Sequence, residues 1–149
     1  MACVVALVAL GSSCGVGSEQ PRDALIVLSP VAGLETESEI VKQLAVIRLT
    51  LDAEGGFTGL KAASETEGFQ AADTDGDGEQ ELLLEMPVAG RDDFPVVRVQ
   101  PGSNEATRIV IRAEGLDGSD VPRAKGFIPA RILFEAPGRT IVRVPFYAL

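Results

Sequence analysis

Histidine and tryptophan are absent from this 149-residue chain. Without imidazole there is no Ser-His-Asp or Cys-His relay and no histidine metal ligand. Aromatic residues make up only 5%, so flat rings for stacking on sugars are scarce. Positive charge is also in short supply: 13 Lys and Arg face 22 Asp and Glu, a net charge of −9. That balance argues against nucleic acid, which demands clustered cations, and against electrostatic attachment to anionic lipid heads. There are two cysteines, Cys3 and Cys14. No apolar run reaches the roughly 20 residues that span a bilayer.

What is present is a chain that is 46% hydrophobic, enough for a core, at a length for which one domain is the default. Its most informative stretch is Asp73-Thr74-Asp75-Gly76-Asp77-Gly78-Glu79-Gln80-Glu81. Carboxylates alternate through it, and they repel one another unless a cation lies among them. A hard cation such as Ca2+ takes six to eight oxygens in a tight shell. Short acidic side chains converge on one point only if the backbone curls, and glycine permits that curl by adopting φ > 0. The expected ligands are the side chains of Asp73, Asp75 and Asp77, the backbone carbonyl of Glu79, and Glu81 directly or through water. The alternative is a polar hairpin turn, for which Asp-Gly pairs are favoured.

Numbered as an EF-hand loop, Asp73, Asp75 and Asp77 take positions 1, 3 and 5. The twelfth position, which should be a bidentate Glu, is Leu84, and Glu85 comes one place late. The flanks are also too short for two helices. The stretch from Ala72 to Leu82 instead resembles the calcium loops of the FG-GAP and VCBS repeats, the integrin-type D-x-D-G-D-G loops, with Glu81 in place of the usual final Asp. That resemblance covers about 11 residues and occurs once. It implies a calcium loop between two strands, not a multi-repeat propeller.

The N-terminal run from Met1 to Leu10 is apolar and is followed by Gly11-Ser12-Ser13-Cys14. It has the length of a signal-peptide core. The segment resembles a bacterial lipoprotein signal, with Leu10 and Gly11 in the lipobox region and Cys14 as the residue that would be lipidated. The alternative is a buried N-terminal strand. With residues 1–13 removed, Cys14 would be the sole cysteine and could form no internal disulfide. Residues 14–23 read as a polar tether, and 24–149 as a single domain.

Within that domain, short apolar or alternating segments recur between turn signals. Residues 24–28 form a compact apolar run. Residues 46–52 alternate, with Ile47, Leu49 and Leu51 on one side and Arg48, Thr50 and Asp52 on the other. Weaker strands are expected at 57–63 and 69–72, with 69–72 pairing with 81–86 across the acidic loop. Further strands fall at 96–100, 107–113, 127–135 and 140–147, the last with Val142, Val144 and Phe146 inward. One short helix is expected within 35–43, capped by Ser38. Eight or nine strands without strand–helix alternation predict an all-β antiparallel β-sandwich of immunoglobulin-like or transthyretin-like build, with a small barrel as the alternative.

The functional expectation is a non-catalytic, exported or lipid-anchored cell-envelope domain stabilised by one structural Ca2+. Its partner would be another envelope or extracellular protein, and it would meet the membrane through the lipid anchor only. A calcium-dependent adhesin or carbohydrate-binding module is the alternative. An enzyme ranks third: Glu65 with Glu67 and Asp92 with Asp93 are paired carboxylates, but they read more simply as solvated loop residues.

Overall fold

In the computed structural model the described residues are 22–53, 60–62, 70–101, 107–132 and 138–149. The signal segment, Cys14, Glu65, Glu67 and most of the tether lie outside them. The described residues are all-β apart from one five-residue helix. Its elements are β1 (Arg22–Pro30), α1 (Glu37–Val41), β2 (Val46–Ala53), β3 (Leu60–Ala62), β4 (Gln70–Ala72), β5 (Glu81–Pro87), β6 (Val96–Pro101), β7 (Thr107–Leu116), β8 (Pro122–Ile132) and β9 (Gly138–Ala148). All nine strands belong to one sheet in the order β3-β6-β1-β9-β8-β7-β2-β5-β4.

The alternation seen in sequence becomes burial on one face. Ile47, Leu49 and Leu51 of β2, Ile109 and Ile111 of β7, and Val142, Val144 and Phe146 of β9 are all buried. Each side chain of this size withdrawn from water contributes about 2 kcal/mol. Ala24, Ile26 and Leu28 of β1 and Val97 and Val99 of β6 join the same core. Phe94, in the β5–β6 connection, packs edge-on against Phe146 with ring centroids 5.3 Å apart.

A sheet with one apolar face and no layer of helices to cover it must curl over its own core. The ladder is short where β8 meets β9. These strands pair only through Ala124↔Ala148, Lys125↔Tyr147 and Gly126↔Phe146. Beyond Gly126, β8 stays with β7 as far as Ile132, while β9 runs beside β1. Gly126 permits the contact at this corner. A Cβ there would sit 2.4 Å from the backbone oxygen of Pro145, closer than any side chain allows.

The helix begins at Thr36, whose hydroxyl accepts from the N–H of Glu39 while the Glu39 carboxylate accepts from the N–H of Thr36. This reciprocal capping box replaces the cap expected at Ser38, two residues too late in the sequence reading. Ile40 and Val41 of α1 and the following Leu44 reach the core.

Two features depart from the sequence reading. The sheet is mixed, because β1 and β9 run parallel over Arg22↔Gly138 to Pro30↔Phe146; the other pairings are antiparallel. Strand alternation carries no information on direction, and this parallel pair is closed by nearly the whole chain instead of a local turn. The second departure is that β1 begins at Arg22, so Asp23 is a strand residue and not the end of a tether.

Asp23 is 1% exposed and is held by arginines from both neighbouring strands. Arg139 of β9 donates to it through Nε (2.8 Å) and Nη2 (3.1 Å), and Arg98 of β6 donates through Nε. The hydrogen bonds from Arg139 hold the Asp23 carboxyl below its ordinary value, with burial opposing and Arg98 reinforcing them. A carboxylate with a lowered folded pKa stabilises the fold fully above its unfolded value, here 3.8, and loses that contribution as the pH falls toward the folded value. Asp23→Asn should lower stability by about 3 kcal/mol near neutral pH, since the buried carboxylate charge facing Arg139 and Arg98 is lost. The deficit should shrink as the pH drops from about 5 to about 2, which urea unfolding of both proteins across that range would measure.

Candidate functional site

The acidic loop connects two short antiparallel strands, β4 and β5, paired as Gln70↔Leu83, Ala71↔Leu82 and Ala72↔Glu81. Strands on both sides exclude an EF-hand frame. Leu82 and Leu84 of β5 are buried in the core, so alternation turns Glu81, Leu83 and Glu85 to the opposite face. Glu81 is nevertheless only 1% exposed, because the loop folds over it.

The loop is built from carboxylates that accept its own N–H groups. Asp73 accepts from Gly76 N at 2.6 Å and Gly78 N at 3.1 Å. Asp75 accepts from Asp77 N at 3.1 Å, and Asp77 from Glu79 N at 2.8 Å. Gly76 and Gly78 have φ of +79° and +88°, and nothing lies within 4 Å of a Cβ at either position. Glycine is therefore required there by backbone conformation and not by space.

The turn brings four carboxylates together. Asp73, Asp75, Asp77 and Glu81 each offer an oxygen, and these oxygens lie within 4.8 Å of one another. Such a group can hold a metal ion. The first three side chains are exposed and the fourth is buried, so an ion here would rest on Glu81 and be capped by the three aspartates. Glu79 is exposed, and its carboxylate is not one of the four. Cys14 lies outside the described residues.

Glu81 carries the most specific observation at the site. Its Oε2 accepts two bonds of 2.6 Å, from the N–H and the hydroxyl of Thr74. Its Oε1 is buried and has no hydrogen-bond partner. Removing a carboxylate from water is worth several kcal/mol of destabilisation unless it is compensated. Half of this one is compensated by Thr74, and the other half belongs to the residue that joins the acidic cluster. A cation at the cluster would supply what Oε1 lacks.

The sequence reading missed two contributors. Thr74 lies inside the motif but has no recognised ligand role; its part is to orient Glu81. Asp52 lies on β2, where Leu51 pairs with Leu82, so it sits beside the start of β5. Burial raises the Asp52 carboxyl above its ordinary value. Arg112 opposes this, and the charges of Glu81, Asp75 and Asp77 add to it. The Asp52 carboxylate comes within 3.8 Å of Arg112. Its position on the polar side of β2 was legible, but the register that brings it to the loop was not. A groove of about 360 Å³ runs from Thr74 and Asp75 past Thr50 to Arg48 and Glu85, which are themselves joined at 2.8 Å.

Comparison with protein-family models, curated proteins and solved structures finds no match to this chain.

The geometry of the loop predicts opposite responses with and without a cation. In EDTA, Glu81→Gln should be about 1–2 kcal/mol more stable than wild type, because a neutral amide replaces a buried charge among like charges. With a divalent cation in excess the order should reverse. Chemical denaturation in both buffers tests this, and an equal cation-dependent gain in both proteins would count against a metal at Glu81.

Proposed function

We propose that this chain is a non-catalytic β-domain that uses the 73–81 loop to bind one structural Ca2+. The observation that carries the reading is the buried, unpartnered Oε1 of Glu81 within a cluster of three further carboxylates. The choice of metal follows from donor chemistry. The cluster offers only oxygen, and hard, flexible, high-coordination oxygen sites suit Ca2+; Zn2+ sites draw on nitrogen and sulfur. Asp73, Asp75, Asp77 and Glu81 supply side-chain oxygens, and Glu79 supplies its backbone carbonyl, as the integrin-type resemblance implies. The ion offsets the mutual repulsion of the carboxylates and ties β4 to β5, so that binding energy becomes folding energy.

We read the two halves of the curled sheet, β3-β6-β1-β9 and β8-β7-β2-β5-β4, as the layers of a sandwich of immunoglobulin-like or transthyretin-like build. The shared core and the short β8–β9 junction support this reading. The domain works outside the cytoplasm, anchored at the cell envelope through a lipid on Cys14 or secreted, with an envelope or extracellular protein as partner. Support for export comes from the apolar N-terminal run and the small residues before Cys14. Millimolar extracellular calcium also matches the weak sites typical of such modules.

Calcium should raise the melting temperature, and EDTA should lower it. With a Kd on the order of 0.1–1 mM, a millimolar excess is worth roughly 1–3 kcal/mol. Asp77→Ala should abolish the rise. Glu79→Ala should keep it, since the carbonyl survives, and Glu85→Ala should keep it because Glu85 is engaged with Arg48 on β2. A melting temperature unchanged up to about 10 mM calcium rejects the structural ion.

Export is tested separately. Expressed in a bacterium that processes lipoproteins, the full chain should partition into detergent, and Cys14→Ser should release it or leave an uncleaved precursor. A wild-type protein found in the aqueous phase with residues 1–13 removed would indicate simple secretion.

A further inference from the structure

Strands with one face in the core normally turn polar residues to water on the other. The outward row of β1 does not: it reads Asp23, Leu25, Val27 and Ser29, alternating with the buried Ala24, Ile26 and Leu28. Register sets the neighbours of this row. Leu25 lies between Arg98 of β6 and Ile141 of β9, and Val27 between Val96 of β6 and Arg143 of β9. Val96, Val27, Leu25 and Ile141 therefore form one diagonal apolar stripe, with Arg98 and Arg143 at its flanks. Val96 is 55% exposed and Ile141 54%. The next row is the Asp23 clamp, with Arg139 beside it.

Of the 22 Asp and Glu in the chain, β6, β1 and β9 carry only the buried Asp23. Their outer face is thus apolar and basic in a chain with a net charge of −9. A contiguous exposed apolar patch marks a docking surface. A second copy joined through the same patch would bring arginines against arginines. A phospholipid surface suits both features, since its interface takes apolar side chains and its phosphates take guanidinium. Chain length points the same way. β1, the middle strand of this face, begins at Arg22, eight residues after Cys14. Eight residues reach at most about 28 Å, so a lipid on Cys14 would hold this strand within reach of the headgroups.

We propose that the outer face of β6-β1-β9 is a membrane-contact surface. Val96, Val27, Leu25 and Ile141 seat in the interface of a phospholipid bilayer, and Arg143 meets lipid phosphate. The inference rests on the lipid-anchored reading above only for what brings the domain to the bilayer. The acidic loop belongs to strands at the far end of the sheet order and takes no part.

The chain has no tryptophan, so Ile141→Trp places a single reporter on the stripe. Phe127→Trp places one on the outer side of β8, where Phe127 is 57% exposed. Each lipidated protein is placed in phosphatidylcholine–phosphatidylglycerol vesicles, with and without brominated acyl chains. The reporter at 141 should resist acrylamide and be quenched by the brominated lipid, and the reporter at 127 should do neither. Val96→Asp in the Ile141→Trp background should weaken this seating at least about tenfold, and Arg143→Gln about fivefold. Melting temperatures confirm that each variant is folded. Retention on the vesicles without bromine quenching at 141 overturns the proposal and leaves the anchor standing. Equal quenching at 141 and 127 also overturns it. So does protection from acrylamide without bromine quenching, which would mean that protein covers the stripe. If the mature chain emerges without a lipid, the anchor is rejected and free vesicles decide. Quenching at 141 should then reach half its maximum on the order of 1–10 mM lipid, and its absence by about 10 mM overturns the proposal.

Discussion

One constraint governs the described residues: their sheet has a single apolar face, and one short helix, α1, is all the helix among them that could cover it. Nine strands with buried residues on one side cannot remain open in water, because the exposed face would forfeit about 25 cal/mol for every Å² left uncovered. The sheet closes over itself, and the closure needs a place where the ladder can turn. The ladder is short at the β8–β9 pairing by Gly126, where the backbones meet too closely for any side chain. The parallel pairing of β1 with β9 completes the other half. Asp23, between Arg98 and Arg139, fastens β6, β1 and β9 together on the outer side of that half.

Closure of the core consigns the polar residues to the outer face, and there the chemistry collects. The alternation that sends Leu82 and Leu84 inward sends Glu81 outward, where the 73–80 loop covers it. Glu81 is thus buried by the loop and not by the core. Its environment is polar on the Thr74 side, acidic on the aspartate side, and closed to solvent. A cation at the cluster would supply the charge that Oε1 of Glu81 lacks.

The same outer face carries charge of both signs, with Arg48 between Glu85 and Glu114 and Arg112 beside Asp52. Carboxylates gather at the β4–β5 hairpin, while Arg108 and Arg131 gather across β7 and β8. Asp52 and Arg112 lie between the two regions; burial raises the Asp52 carboxyl above its ordinary value, Arg112 opposes this, and the charges of Glu81, Asp75 and Asp77 add to it.

Much of this was legible in the residues. Alternation along 46–52 and 140–147 identified the inward side chains, because strand periodicity depends only on local geometry. The D-x-D-G-D-G run marked the loop and its flanking strands, because turn chemistry is local as well. The sequence could not reveal which strands are neighbours, since pairing is decided by how distant segments share one core. That is why the parallel β1–β9 pair, the burial of Asp23 and the approach of Asp52 to the loop came only with the tertiary structure. Glu81 marks the boundary between the two kinds of knowledge. The motif named it as a ligand, but only the fold, by burying one oxygen against Thr74 and leaving the other without a partner, made it the residue on which a cation would rest.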